Sequence, residues 1–116
     1  MENVIEIKSF NFAIRIVNLH KYLCSKDEYT LSNQLLRSGT SIGANVAEAE
    51  QAQSTADFIS KMHIALKETA ETEYWIKLLF KTEFIDKKLY DSLIQDCIEI
   101  KKILIASINT AKENNK

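Results

Sequence analysis

The sequence predicts an all-α fold, an antiparallel up-down-up-down four-helix bundle built as a single domain over residues 1–116. Three observations carry that expectation. The chain has no proline and only two glycines, so it is poor in turn-formers. Apolar residues make up 46% of it, enough for one modest core. They recur at spacings of three and four through four long segments separated by short polar stretches, a pattern that favours antiparallel helical neighbours.

The first segment covers residues 3–24, with Ile5, Phe12, Ile16, Leu19 and Leu23 along one helical face. A second apolar row, Ile7, Phe10, Ile14 and Val17, lies well round the same helix, and Lys8, Arg15 and Tyr22 form a polar strip between the two. A helix with two apolar faces requires two partners. Residues 25–30 are polar and unpatterned, and Thr30 offers a side-chain oxygen to cap the N–H groups that begin at Leu31. The second helix then runs to about residue 53 on Leu31, Leu35, Ile42, Val46 and Ala49, and its period passes through both Gly39 and Gly43.

Ser54 and Asp57 have the spacing of a capping box and start the third helix, which carries Phe58, Met62, Ala65, Thr69, Thr72, Ile76 and Phe80 as far as Lys81. A short connection ends in Asp86 as the next cap. The fourth helix covers residues 87–112, with a core face of Leu89, Leu93, Ile100, Leu104 and Ser107 widened by Tyr90, Ile94, Cys97 and Ile108. The last four residues, ENNK, are expected to fray.

Composition excludes several classes of function. With 15 Lys+Arg against 16 Asp+Glu and a pI near 6.1, no global field attracts nucleic acid or an acidic membrane. Residues 1–30 carry four basic and four acidic groups, and residues 82–116 carry six of each. No apolar run approaches the ~20 residues that span a bilayer and no signal peptide opens the chain, so it reads as soluble and cytoplasmic, without a membrane partner. Cys24 and Cys97, with no CxxC motif and no histidine in metal-ligand spacing, read as small buried thiols. His20 and His63 follow Val17 and Ser60 by three, so no Glu-x-x-His pair is present, and no metal or cofactor is expected.

Three constellations remain. GTSIGAN matches neither a P-loop nor a dinucleotide fingerprint. Gly39, Gly43 and Ala47 instead form a ladder of small residues along one side of a helix, which admits a closely approaching helix. Each glycine costs roughly 1 kcal/mol against alanine in a helix interior, so a contact has to offset it. Glu73 falls on the core side of its helix near Met62, Leu66 and Phe80, and a buried carboxylate needs a partner. Arg37, Ser38 and Asn45 are the candidates for that polar cluster, in a role of structural registry rather than catalysis, since no nucleophile and base accompany it. Ile64, Trp75 and Leu78 share a charged face of the third helix; with Ile7, Phe10 and Ile14 they make an apolar surface suited to an oligomer interface.

The stretch LSNQLLRSGTSIGANVAEAEQAQSTADFISKMHIALKETAETEYWIKLL, residues 31–79, resembles the signature of the four helix bundle protein family, also called 23S rRNA intervening sequence proteins. Leu36, Arg37, Ser41, Ile42, Asn45, Val46, Ala47, Glu48, Glu71 and Glu73 stand at the matching places. The resemblance implies a homopentamer of four-helix bundles, often encoded within insertions in bacterial 23S rRNA genes, with no established enzymatic activity. A relative, the accessory protein of diversity-generating retroelements, uses such a pentamer with a basic surface to engage a reverse transcriptase and nucleic acid. This sequence departs from that relative in its acidic pI. The expected function is a non-enzymatic, pentameric assembly scaffold in nucleic-acid metabolism. The alternative is an RNA- or DNA-binding accessory protein in which symmetry gathers Lys87, Lys88, Lys101 and Lys102 into a basic ring, with or without a reverse transcriptase partner.

Overall fold

The computed structural model describes residues 3–114, which form four α-helices: α1 (Val4–Ser25), α2 (Thr30–Glu50), α3 (Thr55–Lys81) and α4 (Lys87–Asn114). They pack as an antiparallel bundle of 49 × 23 × 21 Å. Each helix packs on the next and α4 returns to α1, while α1 and α3 lie across the bundle from each other.

Side-chain oxygens start all four helices, because the first amides of a helix have no partner within it. Asn3 accepts from the Ile5 amide at 3.0 Å, Ser54 from Asp57 at 3.0 Å, and Asp86 from Leu89 at 2.8 Å. At α2 the expectation of a Thr30 cap fails. Thr30 is already the first helical residue, and Glu28 replaces it: its two carboxylate oxygens accept from the Leu31 and Ser32 amides at 3.1 and 2.9 Å. A carboxylate there also meets the positive end of the helix dipole. α2 stops at Glu50, three residues short of the expected end, since Ser54 must be extended to cap α3. α4 runs through Glu113 and Asn114, so these two do not fray; residues 115 and 116 lie outside the described residues.

Both glycines are spent inside α2, and the helix ends are closed without them. After α1, the Glu28 amide donates to the Leu23 carbonyl and the Asp27 amide to Cys24; after α3, Phe84 donates to Leu79 and Glu83 to Phe80. These are Schellman closures, whose pivot residue is usually glycine because it takes a left-handed conformation. Here Asp27 (φ 64°) and Glu83 (φ 69°) take it instead.

The reason for keeping glycine in α2 lies in its contact with α1. A Cβ on Gly39 would stand 2.8 Å from both Cγ atoms of Ile16, and one on Gly43 would stand 3.3 Å from the Ser9 backbone oxygen. The small face of α2 therefore receives α1 of the same chain. Behind it the core is continuous, from Phe12, Ile16 and Leu23 through Leu35, Ile42 and Val46 to Met62, Ile76, Leu79, Leu93, Ile100 and Leu104. On α4 the core face is centred one step from expectation: Cys97 and Ile108 are buried, while Leu89 and Ser107 sit at its edge.

The seam between α1 and α4 is of another kind. The polar strip of α1 faces α4, pairing Lys8 with Glu99 and Arg15 with Asp96 at 2.6 Å, and Arg15 also donates to the Ser92 hydroxyl at 3.1 Å.

Candidate self-association surface

With its inner row in the core and its polar strip on α4, α1 has one face left. Val4, Ile7, Phe10 and Ile14 lie on it at 60, 42, 66 and 46% exposure. Beside them Gly43 and Ala47 leave a shallow groove of about 490 Å³, lined by Asn3, Glu6, Ile7, Phe10, Asn11, Gly43 and Ala47. The same residues that let α1 approach α2 thus keep the outer surface thin, because a helix that carries no side chain at Gly43 and a single methyl at Ala47 cannot fill the space beside Phe10.

The corresponding face of α3 differs from expectation in part. Ile64 is 39% exposed and Leu78 half-buried, but Trp75 does not stand outside the core. Its ring packs against the buried cluster and edge-on to Tyr74, and its indole N–H donates to Glu71 at 2.9 Å. A large aromatic ring on a helix flank reaches the core even when its Cα points partly outward, and single-helix geometry does not capture that reach. Tyr74, not Trp75, is the exposed aromatic there, at 59%.

The expected polar cluster is also corrected, for its four members part company. Ser38 is fully buried and accepts from the Thr72 hydroxyl at 3.0 Å. Arg37 reaches outward to Glu68, at 3.1 Å, and to Glu71. Asn45 donates to the Ser41 carbonyl of its own helix at 2.8 Å. Glu73 turns to α4, where its Oε1 is 2.8 Å from the Lys101 ammonium; that oxygen is shielded from solvent and has no aligned hydrogen-bond donor among the described residues. The cause is the direction in which α3 presents its side chains: Thr72 faces α2 and Glu73, the next residue, faces α4. Glu71 is held below the ordinary carboxylate range, first by the Trp75 N–H and then by Arg37, whose own value is raised by the same contact.

The four lysines of the expected basic ring are already engaged in part. Lys87 pairs with Asp91 at 2.6 Å and Lys101 with Glu73. Lys87 and Lys101 stand about 21 Å apart along α4, from the helical rise of 1.5 Å per residue. They do not form one patch on a single chain. Among the described residues, no helix is long and apolar enough to cross a membrane, and no group of three His, Cys, Asp or Glu side chains could hold a metal ion.

One cluster escaped the sequence reading. His20, four residues before Cys24 on α1, lies against the Cys24 thiol and the Ser32 hydroxyl. The spacing of four was visible in the sequence; the part played by Ser32 depended on the turn between α1 and α2.

The fold and this surface together define a class, that of small all-α bundles with an outward apolar stripe. Within that class, the chain belongs to the 23S rRNA-intervening sequence protein family, whose model matches residues 1–106. Among solved structures it is similar to a protein of unknown function from the S23 ribosomal protein family of Bacteroides thetaiotaomicron. Identity with that protein is 57% and the TM-score 0.88, over 90% of this chain and 97% of that one. No curated protein matches the chain.

Proposed function

We propose that the chain is a non-enzymatic, homo-oligomeric helical bundle, pentameric in its assembled form, that serves as an interaction scaffold in nucleic-acid metabolism. The observation that carries this reading is the stripe of Ile7, Phe10 and Ile14 beside the Gly43–Ala47 groove, since small monomers seldom leave such apolar surface bare. A second, different patch around Ile64 lies on α3, across the bundle. Two unlike patches on separate sides support head-to-tail contacts, which close into rings, over the self-complementary contact of a twofold dimer. Because two of the four lysines that a basic ring needs are matched by carboxylates, the reading puts protein contact before RNA contact.

Native mass spectrometry at micromolar concentration tests the assembly. Five copies are expected, and Phe10→Asp or Ile64→Glu should lower the mass while circular dichroism stays helical. A wild-type monomer would refute the proposal, and unchanged mass in both variants would move the interface elsewhere.

A further inference from the structure

The apolar patches on α1 and α3 lie level with each other along the bundle, and ring closure requires that. A rotation about one axis carries a copy round without raising it. A head-to-tail contact therefore closes only when its two faces stand at one height along the axis, and otherwise the copies climb into a filament.

Heights within the chain follow from the side chains that join neighbouring helices. Near one end, Asn3 of α1 donates to Glu50 of α2 at 2.6 Å, and Glu48, two residues earlier, pairs with Lys61 of α3 at 3.4 Å. Near the middle, Gly39 of α2 rests on Ile16 of α1, and the adjacent Ser38 accepts from Thr72 of α3 at 3.0 Å. α1 and α3 run in the same direction, and both links give the same correspondence between them. Ile64 of α3 comes within about 3 Å of the level of Ile7 on α1, from the helical rise per residue.

The charges beside the patches match as well. Glu6 lines the groove beside Phe10 and is exposed, with no ion-pair partner among the described residues. On α3, His63 and Lys67 flank Ile64, both exposed and likewise unpaired. His63 falls within about 3 Å of the level of Glu6. A long side chain on a helix leans toward the N-terminus, which brings the Lys67 ammonium toward the same level. Three carboxylates of α3 are engaged elsewhere, Glu68 and Glu71 with Arg37 and Glu73 with Lys101.

We infer that neighbouring copies stand parallel and level about the ring axis, with His63, Ile64 and Lys67 of one seated on Glu6, Ile7 and Phe10 of the next. The inference rests on the oligomeric reading above and adds direction, register and a charge pair to it. At the opposite end, Lys21 of α1 and Lys77 of α3 also share a level, and both are exposed and unpaired among the described residues. Each contact is thus drawn together at its Glu6 end and pushed apart at its Lys21 end.

Charge reversal followed by native mass spectrometry tests the register, with circular dichroism as the check on folding. Glu6→Lys and Lys67→Glu should each raise the chain concentration for half-assembly by on the order of tenfold, and the double variant should recover most of that loss. Lys77→Glu sets a carboxylate against Lys21 and should lower the same concentration. A wild-type chain that stays monomeric would refute the oligomeric reading itself and leave these faces to another partner. Rings that form but show no recovery in the double variant, or that weaken with Lys77→Glu, would overturn the register and leave that reading standing. Should a reversal unfold the chain, oxidation of a chain carrying Ile7→Cys and Ile64→Cys must give a ladder of covalent multimers on a non-reducing gel, beyond any from the parent. These two positions lie across the bundle and cannot join within one chain, so the lack of a ladder would overturn the register.

Discussion

Replacing Gly39 by alanine sets two well-measured effects against each other at one atom. In a helix interior the change should gain roughly 1 kcal/mol, because glycine costs that much against alanine. The added methyl, however, would arrive 2.8 Å from both Cγ atoms of Ile16 and 3.2 Å from its Cβ. Ile16 is fully buried and branched at Cβ, so neither Cγ can swing away without leaving its rotamer. Overpacking of that kind costs about 1–3 kcal/mol, so the net expectation for Gly39→Ala is a loss of about 1 kcal/mol. At Gly43 the nearest atom is the Ser9 backbone oxygen at 3.3 Å, which has to yield only a few tenths of an ångström, and Gly43→Ala should be close to neutral.

Urea unfolding at a fixed chain concentration measures both variants, the concentration being held because assembly couples to stability. A cycle with Ile16→Ala isolates the contact. Alone, Ile16→Ala should cost about 2–5 kcal/mol as a core truncation. In the Gly39→Ala background it should cost less, because the new methyl occupies part of the vacated space. A Gly39→Ala protein at least as stable as the parent, with an additive double variant, would show that α1 does not rest on that face and would refute the assignment of the small ladder to the α1–α2 contact.

Glu83→Gly should raise the urea midpoint by the equivalent of about 0.5–1 kcal/mol, since it relieves a left-handed non-glycine residue and removes a carboxylate from the negative end of α3; an unchanged or lowered midpoint would show that the closure carries no strain. For pH, the folded-state value of Glu71 is depressed, so its stabilisation is present above the ordinary glutamate range and disappears as pH falls through the lowered value. Between pH 6 and 3 the parent should therefore lose more stability than Glu71→Gln, and parallel losses would mean that the Arg37 and Trp75 contacts contribute nothing.

What the sequence made legible, and what it did not, follows from how many chain segments each feature involves. Helix count and most of the core need only the period within one segment, and the expected faces of α1 and α2 contain Ile5, Phe12, Ile16, Leu35, Ile42 and Val46, all buried. Caps need two or three neighbouring residues: Ser54 and Asp86 were readable, but Glu28 displaced Thr30 because the left-handed turn at Asp27 brings a carboxylate under the first amides of α2. The polar partners involve two helices and depend on which neighbour each side chain meets. A helical wheel sets Thr72 and Glu73 about 100° apart but does not name the neighbour that each meets, which is Ser38 on α2 for one and Lys101 on α4 for the other. Trp75 shows the same limit, because its reach toward the core depends on ring size as well as on helical angle.

The same reasoning explains why α1 bears so much of what distinguishes this chain. Its inner row enters the core, its polar strip pairs with α4, its last two turns hold His20 and Cys24, and its outer row is left to water. Four demands on one 22-residue helix leave little room for side-chain bulk on its neighbour, and α2 answers with Gly39 and Gly43. Had α2 carried larger residues there, α1 would stand farther out, Ile16 would leave the core and the groove beside Phe10 would fill. Core packing and surface groove are thus two consequences of one small-residue ladder, Gly39 admitting Ile16 to the core and Gly43 leaving open the groove beside Phe10.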